Sequence, residues 1–190
     1  KVANDLLLLA ETSDAAAPSL REPVDLALVA GQAASMFAGV AEERSVELVF
    51  EAHESPLVNG DAGRLQQVVG NVLDNALRFT PPGGRIEVRV APAAGEGLLT
   101  VSDTGSGIEA DDLERIFDRF YKADPARSHA GTRRTGGLGL AICKSIVEAC
   151  GGSIAITSRP GAGTRVTVRL PVWRSPANEP GMIAAREANR

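Results

Sequence analysis

The sequence predicts an α+β fold, a two-layer sandwich with helices on one face of a mixed sheet. Three observations lead there. Arg64 to Thr80 is strongly amphipathic at the helical period. Strand-like alternation recurs at residues 46–50, 85–90, 98–101, 153–158 and 164–170. The elements run helix, strand, helix, strand pair, helix, hairpin, which suits helices packed on a sheet rather than a bundle or a barrel. The chain has 190 residues, 44% of them hydrophobic, enough for one core of ordinary domain size.

Taken in order, Lys1 to Thr12 contains Leu6-Leu7-Leu8-Leu9-Ala10 and reads as the last turns of a helix. Ser13 to Ser19, rich in Ala and holding Pro18, reads as a linker. The expected division is a helix end with linker over 1–20, one folded domain over 21–173, and a loosely ordered polar tail over 174–190. Arg21 to Leu26 is expected as a short strand. Leu26 to Glu43 is expected as a helix, because Val29, Ala30, Ala33, Phe37, Val40 and Ala41 recur at helical spacing. Val46 to Phe50 alternates as a strand. Leu57-Val58 adds a short one before Asp61, whose side chain can cap the helix that follows.

That helix has two faces. Leu65, Val68, Val69, Val72, Leu73, Ala76 and Leu77 fill a broad apolar arc, while Arg64, Gln67, Asn71, Asn75 and Arg78 fall on one polar stripe. Asparagine is a mediocre helix former, so two at i, i+4 on one face ask for a reason. A carboxamide oxygen can ligate a hard cation such as Mg²⁺, and Arg78 offers planar donors for phosphate. A half-exposed helix with a polar rim would share the pattern. Pro81-Pro82-Gly83-Gly84 ends the helix. Arg85 to Val90 and Leu98 to Val101 read as paired strands across a turn over Ala91 to Gly97. Gly139 to Cys150 reads as a helix stopped by Gly151-Gly152. Ser153 to Ser158 and Thr164 to Leu170 form a hairpin across Arg159-Pro-Gly-Ala-Gly163.

A net charge of −4 gives no electrostatic reason to expect nucleic-acid binding. No apolar run reaches the length of a membrane span, and nothing reads as a signal peptide. Cys143 and Cys150 match no metal spacing and read as reduced core residues, which fits an intracellular chain.

Three further stretches carry chemistry. Val101-Ser-Asp103-Thr-Gly105-Ser-Gly107-Ile108 ends a strand. Its glycines let backbone approach a ligand, and an ionised Asp103 is acceptor-only, suited to an exocyclic amine and not to a phosphate. A plain turn has the same composition. Ile116-Phe117-Asp-Arg119-Phe120-Tyr121-Lys122 gathers three aromatics beside basic groups, and reads equally as a small apolar cluster anchoring a loop. Residues 123–134 after it read as a lid. Thr135-Gly136-Gly137-Leu138-Gly139-Leu140 runs straight into a helix, so its backbone N–H groups and the positive helix end can hold an anion.

In order and spacing, the asparagine helix, D-T-G-S-G, I-F-D-R-F-Y-K and G-G-L-G-L-A-I resemble the N, G1, F and G2 boxes of the ATP-binding catalytic domain of sensor histidine kinases. The resemblance covers residues 21–172 and implies the Bergerat (GHKL) sandwich, with ATP and Mg²⁺ as cofactors. It implies that Asn75 ligates Mg²⁺ with Asn71 beside it, that Arg78 contacts phosphate, and that Phe79 lines the pocket. Asp103 would accept the adenine amine, while Gly105, Gly107 and Ile108 shape the adenine side. Phe120, Tyr121, Lys122 and the lid would close on the nucleotide. Thr135, Gly136, Gly137, Leu138, Gly139 and Leu140 would hold the phosphates, and Thr164 in G-A-G-T would support the adenine through water. The chain departs from the family at Thr135, where Gly is usual, and at Arg78, where Lys is more frequent.

The family transfers the γ-phosphoryl of ATP to a histidine on a separate dimerising hairpin, then to a response regulator. His53 and His129 lack the acceptor context, so the expected partners are that histidine domain of the same protein and a response regulator. The expected states are a monomeric, cytoplasmic fragment and a homodimeric full-length protein anchored in the inner membrane. Two other readings stay open: a sister ATPase and a module that binds nucleotide without transferring it. The sister ATPases carry a Glu one turn before the Mg²⁺ ligand, and here that position is Asn71, which cannot act as a general base.

Overall fold

The computed structural model describes residues 22–121 and 137–174. Its elements are β1 (Glu22–Asp25), α1 (Leu26–Glu43), β2 (Glu47–Ala52), β3 (Leu57–Gly60), α2 (Ala62–Phe79), β4 (Arg85–Ala93), β5 (Glu96–Asp103), α3 (Ala110–Leu113), α4 (Gly139–Ala149), β6 (Ser153–Ser158) and β7 (Thr164–Pro171). Five strands pair in the order β2-β4-β5-β7-β6. The pairing is parallel between β2 and β4 and antiparallel elsewhere. A separate antiparallel pair joins β1 to β3.

Alternation on the central strands sorts their side chains. Ile86, Val88, Val90, Leu99, Val101, Val166, Val168 and Leu170 point into one core shared with α1, α2 and α4. The opposite face carries a ladder of ion pairs, Arg85 with Glu47 and Glu87, and Arg89 with Glu51 and Glu87. These pairs are exposed or half-exposed, so they keep the face soluble more than they stabilise it. The predicted layering, helices on one face of a mixed sheet, is what the structure has.

Every residue of the predicted apolar arc of α2 is buried. Asp61 caps that helix by accepting the Arg64 N–H at 2.8 Å. The other end solves a problem set by the sequence. The Leu77 carbonyl would accept from residue 81, but Pro81 has no N–H. Arg44, the residue after α1, donates Nη1 to that carbonyl at 2.9 Å instead. Thr80 turns its hydroxyl back to the Ala76 carbonyl at 2.7 Å. Replacing Arg44 by Met keeps the apolar stem and orphans the carbonyl. The expected cost is about 1–3 kcal/mol in a urea titration, since the lost bond is charge-assisted; a change within error would mean that water satisfies the Leu77 carbonyl.

Several boundaries differ from the sequence reading. The first strand stops at Asp25, which caps α1 by accepting the Leu28 N–H at 2.7 Å, so Leu26 opens the helix. Strand β2 extends to Ala52 rather than ending at Phe50. The expected turn over 91–97 shrinks to Ala94-Gly95, both at positive φ, and Pro92 lies inside β4. Pairing with β2 ends at Val90, so Pro92 has a partner strand on one side only, where a missing N–H is tolerated. The expectations for residues 1–21 and 175–190 lie outside the described residues. Among the described residues, no helix is long and apolar enough to cross a membrane.

Candidate functional site

Asp103 is the last residue of β5, paired in register with Thr164, the first of β7. Two backbone N–H groups converge on one carboxylate oxygen: Gly105 donates to Oδ1 at 2.8 Å and Thr164 at 3.2 Å. Both donors use Oδ1, which leaves Oδ2 to accept from another group. Burial holds the Asp103 carboxyl above the usual carboxylate range, and the two backbone hydrogen bonds only partly oppose that shift.

The loop after Asp103 is fitted around its neighbours. A methyl on Gly105 would lie 2.6 Å from the Phe79 carbonyl and 2.7 Å from Asp103 Oδ1, so no larger residue can keep this carboxylate clamp. Ser106 donates to the same Phe79 carbonyl at 3.2 Å, hanging the loop from the end of α2. Gly107 packs on the Arg159 backbone. Ile108 N–H donates to Ser158 Oγ at 2.9 Å. Ser158 Oγ also donates to the Gly163 carbonyl at 2.7 Å and lies 3.1 Å from Thr164 Oγ1. Ser158 thus ties the loop to the hairpin, a role the sequence did not reveal because it depends on how β6 and β7 register. An open hollow of about 390 Å³ takes in Asp103, Ser158, Gly163 and Thr164 from the hairpin side; neither asparagine lines it.

On α2, Asn71, Asn75 and Arg78 are all half-buried along one stripe. The Arg78 guanidinium sits 5.4 Å from the centre of the Phe79 ring, itself 45% exposed. Asn71 Nδ2 donates to the Gly139 carbonyl at 3.4 Å. The Cys143 thiol donates to the Val68 carbonyl at 3.7 Å, and burial pushes its pKa up to about 12. Cys143 is therefore an inert core thiol, as its sequence context suggested.

At the start of α4 the cap residue, Leu138, makes no side-chain cap bond, and its own side chain is buried. The first intrahelical bond runs from Ile142 N–H to the Leu138 carbonyl at 2.9 Å. Among the described residues no hydrogen bond from the N–H groups of Gly139, Leu140 or Ala141 is seen, and they stand at the positive end of the helix dipole.

Gly137, at positive φ, packs on the backbone of Phe120 and Tyr121. The Phe120 N–H donates to the Gly137 carbonyl at 3.0 Å, joining the residues on either side of 122–136, a stretch that includes the expected lid and lies outside the described residues. Phe120 is itself at positive φ and 62% exposed, a strained pose for an aromatic residue. The Tyr121 hydroxyl donates to Asp112 Oδ1 at 2.5 Å, and Arg115 covers the ring at 4.4 Å. That hydrogen bond, more than burial, raises the Tyr121 pKa. Among the described residues no hydrogen bond or ring contact joins Phe120 or Tyr121 to Asp103. Lys122, Thr135 and Gly136 lie outside the described residues.

The structure therefore gathers Asp103, Gly105, Gly107, Ile108 and Thr164 at one end, with Asn71 against Gly139 at another and α2 running between. Among the described residues no group of three His, Cys, Asp or Glu could hold a metal ion. The donor set on offer is amide oxygen, which suits a hard cation that arrives with phosphate.

Comparison with known proteins agrees with this geometry. A family model described as "Histidine kinase-, DNA gyrase B-, and HSP90-like ATPase" matches residues 60–174. The sensor histidine kinase CusS of Escherichia coli is 39% identical over 171 residues, covering 90% of this chain and 35% of CusS. A crystal structure of full-length ShkA in complex with AMPPNP superposes with a TM-score of 0.78 at 29% identity, covering 90% of this chain and 35% of ShkA. A mycobacterial sensor histidine kinase, MprB, superposes at 0.68 with 30% identity, covering 82% of this chain and 100% of that one. The chain spans about a third of the length of the curated relatives it matches. With the sheet order, the Asp103 clamp and the uncapped α4 all in place, the chain belongs to the histidine kinase-, DNA gyrase B- and HSP90-like ATPase family, and within it resembles the catalytic part of sensor histidine kinases.

Proposed function

We propose that this chain binds Mg²⁺-ATP and donates the γ-phosphoryl group to a histidine on a separate, dimerising helical domain of the same protein, which passes it to a response regulator. The single observation that carries this reading is a site with two chemically opposite ends. At one end a clamped carboxylate offers only an acceptor; at the other an uncapped helix offers only donors. A molecule with an amine at one end and phosphates at the other matches both.

In this reading Asp103 Oδ2 accepts the adenine amine, Thr164 supports the ring through water, and Gly105, Gly107 and Ile108 shape the wall. Phe79 lines the pocket and Arg78 contacts phosphate. Asn75 holds Mg²⁺ through its amide oxygen, with Asn71 beside it. The α4 amides of Gly139 and Leu140, with Gly137 and Leu138 before them, hold phosphate oxygens. Phe120, Tyr121 and Lys122 close on the nucleotide, and Thr135 and Gly136 share in holding its phosphates. Mg²⁺-ATP supplies the electrophilic γ-phosphorus and the ADP leaving group: the bond to the bridging oxygen breaks as the imidazole nitrogen bonds phosphorus. This chain's residues position and neutralise charge, and Asn71 offers no general base to activate water, so hydrolysis is slow. The chain alone is a monomer, and the full-length protein is a homodimer anchored in the inner membrane.

The test is a chimaera of CusS in which this chain replaces the matching segment. Incubation with γ-labelled ATP is expected to yield an acid-labile, alkali-stable phosphoryl-protein that the Asp103→Asn version does not form. Release of free phosphate without phosphohistidine would favour the ATPase reading. Binding with neither product would favour a nucleotide sensor.

A further inference from the structure

Helices α2 and α4 pack against each other, and Val68, Val69 and Val72 of the one and Ala141, Ile142 and Ile146 of the other are all buried. Apolar surfaces of this kind resist separation but do little to fix the sliding register of one helix along another, whereas a polar contact among apolar ones does. Two polar rungs cross it. Asn71 Nδ2 donates to the Gly139 carbonyl at 3.4 Å, and the Cys143 thiol donates to the Val68 carbonyl at 3.7 Å. The rungs are one turn apart on each helix: Val68 to Asn71 on α2, Gly139 to Cys143 on α4. A methyl built on Gly139 would rest 3.8 Å from the Asn71 carboxamide carbon, so the amide lies directly against the opening residue of α4.

We infer that Asn71 is a positioning residue that sets the uncapped N-terminus of α4 against the asparagine stripe of α2, through the hydrogen bond from its amide nitrogen to the Gly139 carbonyl. The inference rests on the nucleotide reading above and adds a second use for one side chain. The two ends of a carboxamide point apart, so the nitrogen can hold α4 while the oxygen serves a cation. A slip of one residue along α4 moves its free N–H groups by about 1.5 Å. Displacements of about 1 Å in a positioned site can cost up to ~100-fold.

The clasp is tested without metal, where a role confined to Mg²⁺ ligation is silent. Wild type and Asn71→Leu, an uncharged replacement of similar size, are titrated with AMPPNP in excess chelator and separately with adenosine, which has no phosphate. The expected result is a loss of about 10-fold or more in Mg²⁺-free AMPPNP affinity, with adenosine affinity held within about twofold. Asn71→Ser, small and uncharged, repeats the comparison if the leucine chain does not fold. Unchanged Mg²⁺-free AMPPNP binding would overturn the inference and leave Asn71 a metal oxygen alone. Parallel weakening of AMPPNP and adenosine would overturn it in favour of general loosening. Wild-type protein that fails to bind AMPPNP in any condition would overturn the nucleotide reading itself, and this inference with it.

Discussion

Asp103→Asn is expected to abolish adenine-nucleotide binding, by at least ~100-fold, while leaving the fold as stable as the wild type or slightly more so. The amide keeps an oxygen for the Gly105 and Thr164 N–H groups, so the clamp survives. What changes is the other atom, from an acceptor to a donor, which in the proposed pose would meet an amine that is itself a donor. A buried mismatch of that kind discriminates strongly, because neither polar group is paired. The fold loses a half-buried carboxylate whose ionisation burial opposes, which is why no stability loss is expected. Nucleotide titration beside a thermal melt checks both halves. A fall in melting temperature matching the loss of binding would make Asp103 a structural residue.

The same group gives the pH dependence its sign. Its folded pKa lies above the ordinary value, with burial the leading cause. Between the unfolded and folded values the folded chain binds more protons, so this group's contribution to stability is greatest below that window and falls as pH rises through it. Adenine binding runs the opposite way. In the proposed pose it needs the ionised acceptor, so it is expected to weaken as pH drops through the raised pKa.

Gly163→Ala is expected to cost several kcal/mol, about 3 or more, and to take nucleotide binding with it. Gly163 is at positive φ, and a methyl there would run into the Asp103 carbonyl. The obstacle is backbone of the central strand β5, which cannot swing aside as a flexible side chain could. Gly161 provides the control. It too is at positive φ, but nothing lies within 4 Å of a methyl there. Gly161→Ala is expected to cost only the left-handed penalty, roughly 1–2 kcal/mol. Denaturant titration of the two variants separates steric from conformational cost. Equal losses would mean that the hairpin loop shifts to admit the methyl at 163.

Local signals made α2 legible. Its seven apolar positions recur with the helical period, Asp61 sits where a cap belongs, and Pro81 marks the end. The β6–β7 hairpin was legible for the same reason, with alternation on both sides of a glycine-rich turn. Strand β4 ran past its expected end because Pro92 is read as a breaker from sequence. Whether it breaks anything depends on whether a second strand needs its N–H, and β2 stops short of it.

In the candidate site, Asp103 and the start of α4 stood out because acidic and glycine-rich stretches have strong residue preferences. Ser158 did not, since a serine at a strand end carries no signal until β7 brings Thr164 and Gly163 beside it. Arg44 was hidden likewise: its purpose is set by Pro81, 37 positions away, and appears only when α1 and α2 pack. Sequence also could not divide the Asn71 amide into its two ends. The stripe suggested an oxygen for metal, and the contact with Gly139 engages the nitrogen.

The most direct test of the two-ended site is calorimetric titration of this chain with AMPPNP, with and without Mg²⁺, beside Asn75→Asp. The account predicts saturable one-to-one binding by the wild type that Mg²⁺ strengthens, with a changed Mg²⁺ dependence in Asn75→Asp. No heat from wild-type protein at millimolar AMPPNP, in a sample shown to be folded, would contradict it.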